Sequence, residues 1–183
     1  MRFINAYGVQ ETASLEERSE FYMLLEQEIK SCLNNGIYLC LELDANAKVG
    51  EMIQNNPQDS ISPNGRLLLD ILERNNLILV NGTTKCIGKV TRTKNMKNRH
   101  EKSILDYFIV CQDFFQLVQQ MCVDEDKIYV LKKYHKVKGE VKEVESDHNP
   151  IYLLIDLQWD TKVVKPSVEI FNLRNSEFQL AKQ

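Results

Sequence analysis

The sequence predicts an α/β domain with mixed sheets, and three observations carry that prediction. Short apolar runs at residues 37–43, 104–110 and 151–157 have the length and continuity of buried strands. Two further segments place apolar residues at the spacing of one helical face, each opened by a serine. Strands alternating with helices pack as layers around one core. The 183 residues suit a single core, and 43% hydrophobic with 27% charged residues is a globular balance.

The elements follow in order. Residues 2–7 form a short apolar, aromatic run ended by Gly8, read as a strand. Ser14 and Glu17 have the spacing of a capping box, and Phe21, Leu25, Ile29 and Cys32 or Leu33 then recur on one face until Asn34-Asn35-Gly36 stops the helix. The run at 37–43 is too short and too continuously apolar for an exposed helix. Ser62-Pro63-Asn64-Gly65 introduces a second helix over 66–74, with Leu67, Leu68, Ile71 and Leu72 on one side, and 77–80 follows as a strand. Residues 1–160 are expected to form the domain, and 161–183, with a weaker apolar pattern, a linker or one short docking helix.

No apolar stretch approaches a membrane span, and MRFINAYG lacks the basic and apolar regions of a signal peptide. The expectation is an intracellular protein, nuclear or cytoplasmic, with no membrane partner. Cys32, Cys40, Cys86, Cys111 and Cys122 are odd in number and include no C-x-x-C pair, so reduced core thiols are expected.

Three acids sit at comparable places. Asp44 ends one strand, Asp106 lies inside another, and Asp147, followed by His148, directly precedes a third. In α/β sheets ligands gather where strand ends meet loops, so such acids converge although they are distant in sequence. Carboxylates, an amide and an imidazole can hold a hard cation and move a proton at a phosphate. Each also has a plainer account: an acid at a strand end is most often a turn or cap residue, a lone histidine is usually structural, and Asp106 could be a satisfied buried group.

The ordered set NAYGVQ, LDANAKVG, NGRLLLDILERNNLILVNG, ILDYFIV and ESDHNP resembles the exonuclease-endonuclease-phosphatase superfamily, most closely the endonuclease domain of non-LTR retrotransposons. That family has an N-x-Y element, a G-D-x-N element, an L-D-Y strand and a closing S-D-H in this order. Here they stand as Asn5-Ala6-Tyr7, Leu43-Asp44-Ala45-Asn46, Leu105-Asp106-Tyr107 and Ser146-Asp147-His148. The EIFNLRN segment near the end is similar to the one joining this endonuclease to a reverse transcriptase.

The resemblance implies a four-layer αββα sandwich with two mixed sheets, and hydrolysis of DNA phosphodiesters with Mg²⁺ or Mn²⁺. It implies that Asp44 activates water or completes the metal shell, that Asn46 and Tyr7 contact the phosphate, and that Asp147 is a metal ligand. His148 would stabilise developing charge, held in its tautomer by Asp106. Gln10 stands where the family often has Asn. Leu43 stands where it has Gly, which is expected to push Asp44 off geometry. The family's upstream Glu, a principal metal ligand, has no counterpart here, since Glu11, Glu16 and Glu42 do not match its motif. The chain is thus expected to match the C-terminal two thirds of the family fold. An apolar face, open strand edges and a partner chain supplying the absent strands are expected with it.

Between Lys85 and Lys102 the basic residues Lys85, Lys89, Arg92, Lys94, Lys97, Arg99 and Lys102 face the single acid Glu101, in a chain of net charge −3. Such a run is usually a solvated loop. Beside the Asp106 strand, and with Thr91 resembling the family's threonine, it is expected to give DNA-backbone contacts through Lys89, Arg92, Lys94, Lys97 and Arg99. The later run at 132–142 mixes signs and reads as an exposed hairpin or a mobile loop. Three readings follow: a metal-dependent DNA endonuclease, a non-catalytic nucleic-acid- or protein-binding module keeping the fold, or a phosphatase acting on a small phosphoester.

Overall fold

Alternation along Arg2–Tyr7 (β1) starts the first sheet: Ile4 and Ala6 are buried while Phe3, Asn5 and Tyr7 are exposed, the period of a strand covered on one side. A computed structural model describes residues 1–53, 60–96, 99–128, 132–137, 140–157, 170–171 and 180–181. Helix α1 (Leu15–Asn34) opens with the expected capping box, in which the Ser14 hydroxyl accepts from Glu17 N–H and the Glu17 carboxylate from Ser14 N–H. Its buried stripe is Phe21, Tyr22, Leu25, Ile29 and Cys32.

Strand β2 (Leu39–Asp44) lies parallel to β1 and antiparallel to β7 (Asp106–Cys111). Helix α2 (Pro63–Arg74) carries proline in its first turn, where no N–H is missed. It leads into β3 (Leu77–Leu79), which pairs antiparallel with the far side of β7 and closes the sheet in the order β1-β2-β7-β3. Where β3 ends, the Asn81 carboxamide continues the ladder. Its Nδ2 donates to Asp106 O and its Oδ1 accepts from Phe108 N–H, both at 3.0 Å.

The chain then forms β4 (Cys86–Ile87) and the antiparallel pair β5 (Arg92–Met96) and β6 (Arg99–Ser103). After β7 come α3 (Gln112–Leu117), β8 (Val118–Val123), the antiparallel pair β9 (Lys132–Val137) and β10 (Glu140–Glu145), and β11 (Ile151–Ile155). A second mixed sheet has the order β11-β8-β4, antiparallel then parallel. Most of 161–183 lies outside the described residues. Within it, β12 (Ile170–Phe171) and β13 (Leu180–Ala181) pair antiparallel.

Register sorts the first sheet into two sides. Ile4, Ala6, Leu41, Leu43, Tyr107 and Ile109 share one side and cluster with the buried stripes of α1 and α2. Cys40, Phe108 and Val110 share the other and join Phe114, Val118 and Met121 of α3 and β8 in the same core. Phe3 meets Phe114 edge to face at 5.9 Å. Ile87, Tyr152 and Leu154, on the second sheet, remain 55%, 40% and 57% exposed. All five cysteines are free thiols, and no helix among the described residues is long and apolar enough to cross a membrane.

Of the boundaries that differ from the sequence reading, two place site residues. The strand expected at 37–43 ends one residue later, making Asp44 its last member. The strand expected from 104 starts at Asp106, because Leu105 is diverted to other partners. Its carbonyl accepts from Ala45 N–H at 2.8 Å and its N–H goes to the Thr91 hydroxyl at 2.9 Å. Asp106 therefore opens β7 rather than lying inside it.

Candidate active site

The backbone register alone brings three of the singled-out residues into one row. Tyr7 pairs with Asp44, and Asp44 pairs with Asp106, so β1, β2 and β7 present them side by side at one end of the sheet. Glu42 sits one pleat back on the same side as Asp44. Its carboxylate accepts from Asn5 Nδ2 at 3.1 Å, and burial together with the Asp106 charge holds its pKa above the ordinary value. Leu43, the departure from the family glycine, is fully buried on the opposite, helix-covered side.

Asp44 also closes a turn. Its Oδ1 accepts from Asn46 N–H at 3.3 Å, closing an Asx-type turn, and Asn46 takes a positive φ of 45°, which asparagine tolerates well. Gly8 passes so close that a Cβ there would lie 2.6 Å from Ala45 O, and its N–H donates to Asp44 O. Asn46 Nδ2 donates to Gly8 O at 2.8 Å, while Gln10 Nε2 reaches both Tyr7 Oη (3.2 Å) and Asn46 Oδ1 (3.4 Å). Tyr7, Gln10 and Asn46 thus form one connected group beside Asp44.

The second contribution comes from the loop between β10 and β11. Thr93 N–H donates to Asp147 O, Asn149 N–H to Thr91 O, and Asn149 Nδ2 to Val90 O, tying 146–149 to the strand that begins β5. His148 forms an isolated bridge with Arg92. Its Nδ1 lies 3.1 and 3.0 Å from the two Asp106 carboxylate oxygens. The proton is assigned to Nδ1 because a carboxylate can only accept there, which leaves Nε2 for another partner.

Ligand atoms of Asp44, Asp106 and His148 lie within 4.8 Å of one another, a mixed oxygen and nitrogen set that could hold a divalent cation. The electrostatics fit such a role. Burial, then the Asp106 charge, raises the Asp44 pKa, while the His148 charge opposes the rise. The Asp106 hydrogen bond raises the His148 pKa against its burial. An added positive charge would relieve the strain between the two acids.

Asp147 is not in that cluster, which was the place the sequence reading gave it as a metal ligand. Its Oδ2 accepts from Arg92 Nε at 2.8 Å. Burial pushes the Asp147 carboxyl up, but the Arg92 hydrogen bond and charge outweigh it and bring it below the ordinary value.

The basic run divides. Lys85 turns inward: its Nζ donates to Phe115 O at 3.0 Å, at the carboxyl end of α3, and stands 4.4 Å from the Phe115 ring centroid. Arg92 is at the site. Glu125 accepts from Lys89 and Val90 N–H, fixing the backbone there. Lys94 is exposed on β5. Lys97 and the side chain of Arg99 lie outside the described residues.

Three supporting residues carry more than the sequence reading gave them. Thr91, fully buried, accepts from Leu105 and Asp106 N–H and so fixes the start of β7. Asn64, also fully buried, donates to Val9 O and Asn46 O and joins the two loops that carry Gln10 and Asn46. Tyr107, the tyrosine of L-D-Y, is structural. Its hydroxyl stands 2.8 Å from Ala47 O and 2.7 Å from Ile104 O. The only advance signal for Asn64 was its place in Ser62-Pro63-Asn64-Gly65, which reads as a helix start.

Three solved structures with a similar fold are informative. The endonuclease domain of TRAS1, a telomere-specific non-LTR retrotransposon, is 21% identical with a TM-score of 0.57, covering 84% of this chain and 56% of that one. The 3′ phosphatase NExo from Neisseria, bound to a product DNA hairpin, is 15% identical with a TM-score of 0.61, covering 85% and 61%. A mannosyl-6-phosphatase from Bacteroides thetaiotaomicron is 16% identical with a TM-score of 0.52, covering 85% and 51%. The chain therefore spans about half to three fifths of the length of the structures it matches. No family model and no curated protein sequence matches it.

Proposed function

From the DNase I-like fold that the chain shares with endonuclease/exonuclease/phosphatase structures, we propose that it is a metal-dependent phosphodiesterase module acting on DNA. The observation that carries the reading is the meeting of Asp44, Asp106 and His148, which lie 62 and 42 residues apart in sequence, at one end of the sheet. Asp44 and Asp106 would hold Mg²⁺ or Mn²⁺ through carboxylate oxygens, and the ion would supply Lewis-acid polarisation of a phosphoryl oxygen.

The chain's own residues have separable parts in this proposal. Asp44 takes the proton of the attacking water, its raised pKa bringing it closer to that task. His148, oriented through Nδ1 by Asp106, turns Nε2 to the phosphate and stabilises the charge that develops there. Asn46 and Tyr7, linked through Gln10, bind the non-reacting oxygens. Lys89, Arg92 and Lys94, with Lys97 and Arg99 further along, follow the backbone of the duplex. The retrotransposon origin implied by the motif order is part of the same proposal.

Nicking of supercoiled plasmid in Mg²⁺ or Mn²⁺, compared with His148→Ala, tests the reaction. The expected loss is about 100-fold or more, the usual worth of a positioned acid–base group. Equal nicking by both proteins would sink it. A non-catalytic module keeping the fold would instead show duplex binding without nicking in either metal.

A further inference from the structure

Asp147 and Arg92 make a pair that the motif order does not account for. Arg92 opens β5 beside His148, and its side chain turns back so that Nε donates to Asp147 Oδ2 at 2.8 Å. That hydrogen bond engages Nε, one of the five N–H donors of a guanidinium. The guanidinium occupies Oδ2 and its charge repels a divalent ion approaching this carboxylate. The cation-type cluster formed by Asp44, Asp106 and His148 lies beside the pair and does not include Asp147.

We infer that Asp147 is a positioning residue for Arg92, and that Arg92 is a phosphate clamp at the candidate site. The inference rests on the proposed phosphodiester chemistry for its ligand class, a phosphate of a nucleic-acid strand. The division of labour is that Asp44 and Asp106 provide the cation's donors and His148 faces the phosphate, while Asp147 fixes the plane of a guanidinium able to grip two phosphate oxygens at once.

The sign of one substitution separates this from simple charge. Removing a negative charge at position 147 strengthens DNA binding if only net charge matters, and weakens it if Asp147 aims Arg92. The test uses the full chain, a short duplex followed by fluorescence anisotropy in EDTA across a salt series, and Mn²⁺ binding followed by electron paramagnetic resonance. Asp147→Asn and Arg92→Gln are each expected to weaken duplex binding about tenfold, with the salt slope of Arg92→Gln lower by about one. The double variant is expected to be no worse than Arg92→Gln alone, because the two residues act as one unit. Arg92→Lys is expected to recover only part of the loss, since a lysine cannot reproduce the fork. Lys94→Gln, on the same strand, is expected to cost less than Arg92→Gln, and Mn²⁺ affinity to stay within about twofold in Asp147→Asn, against the 10–100-fold cost of disturbing a metal's ligand shell.

Tighter duplex binding by Asp147→Asn, a tenfold loss of its Mn²⁺ affinity, equal losses for Lys94→Gln and Arg92→Gln, or no duplex binding by the parent chain would each overturn the inference. A protein that shows the expected binding pattern without nicking fails the proposed reaction and keeps the clamp. One that nicks but loses Mn²⁺ with Asp147→Asn does the reverse.

Discussion

The two sides of β2 show how one strand serves two ends. Leu39, Leu41 and Leu43 are all fully buried, and Leu41 and Leu43 pack among the apolar residues of α1, α2 and β7. Cys40, Glu42 and Asp44 alternate with them and point the other way, where the last two are half-buried acids with raised pKa values. The covered side stabilises the fold by removing hydrocarbon from water. The other side works against stability, since it partly desolvates carboxylates placed near Asp106. A strand can carry such a cost only because its period of two keeps the functions on separate faces.

The largest expected effect breaks the covered side. Leu41→Ala removes a fully buried side chain from the middle of the central strands, with a cost of about 2–5 kcal/mol in urea unfolding. A loss below about 1 kcal/mol, the level of an ordinary surface change, would show that the helices do not pack on this side as described.

Asp44→Asn sharpens the contrast by moving stability the other way. The folded pKa of Asp44 lies above its ordinary value, so its ionised form costs stability at neutral pH, and the cost fades as pH falls and the group protonates. Asparagine removes that charge and keeps an oxygen for Asn46 N–H. The expected gain is at most about 1 kcal/mol after allowing for solvent screening. Thermal melts with and without Mn²⁺ would check both parts, because the parent should gain stability from the ion and the variant should not. Destabilisation by several kcal/mol would mean that Asp44 holds the turn more than it serves a site.

Sequence and structure agree best where one periodicity decides. The capping box at Ser14, the helical stripe from Phe21 to Cys32 and the strand at β1 were all legible, because each depends on residues within a few positions of one another. The meeting of Asp44, Asp106 and His148 was legible only through the ordered motifs, since nothing local says that a strand end and a distant loop will touch. What stayed hidden depends on side chains crossing between elements. Asn81 looks like a turn residue and completes a ladder; Lys85 looks like part of a DNA-binding run and sits at a helix end. Asp147 matches a metal-ligand motif, yet its partner is Arg92, 55 residues earlier.

The smallest expected effect lies outside both faces of β2, where charge joins the covering helices to each other. Glu26 of α1 accepts from Arg74 Nε and Nη2 and from Asn75 Nδ2, all at 3.0 Å, and meets Lys30 Nζ at 3.1 Å. The Arg74 hydrogen bond, acting against burial and with help from Asn75 and Lys30, lowers the Glu26 pKa to about 2. A folded pKa below the unfolded one gives stability that is present above the ordinary value of 4.5 and is lost as pH falls toward about 2. Glu26→Gln should therefore cost no more than about 1 kcal/mol at pH 7, because exposed ion pairs are worth little even when several meet. The difference from the parent should shrink between pH 4.5 and pH 2 in urea titrations. A difference that persisted well below pH 2, where both side chains are neutral, would assign the effect to packing of the helix pair instead of charge.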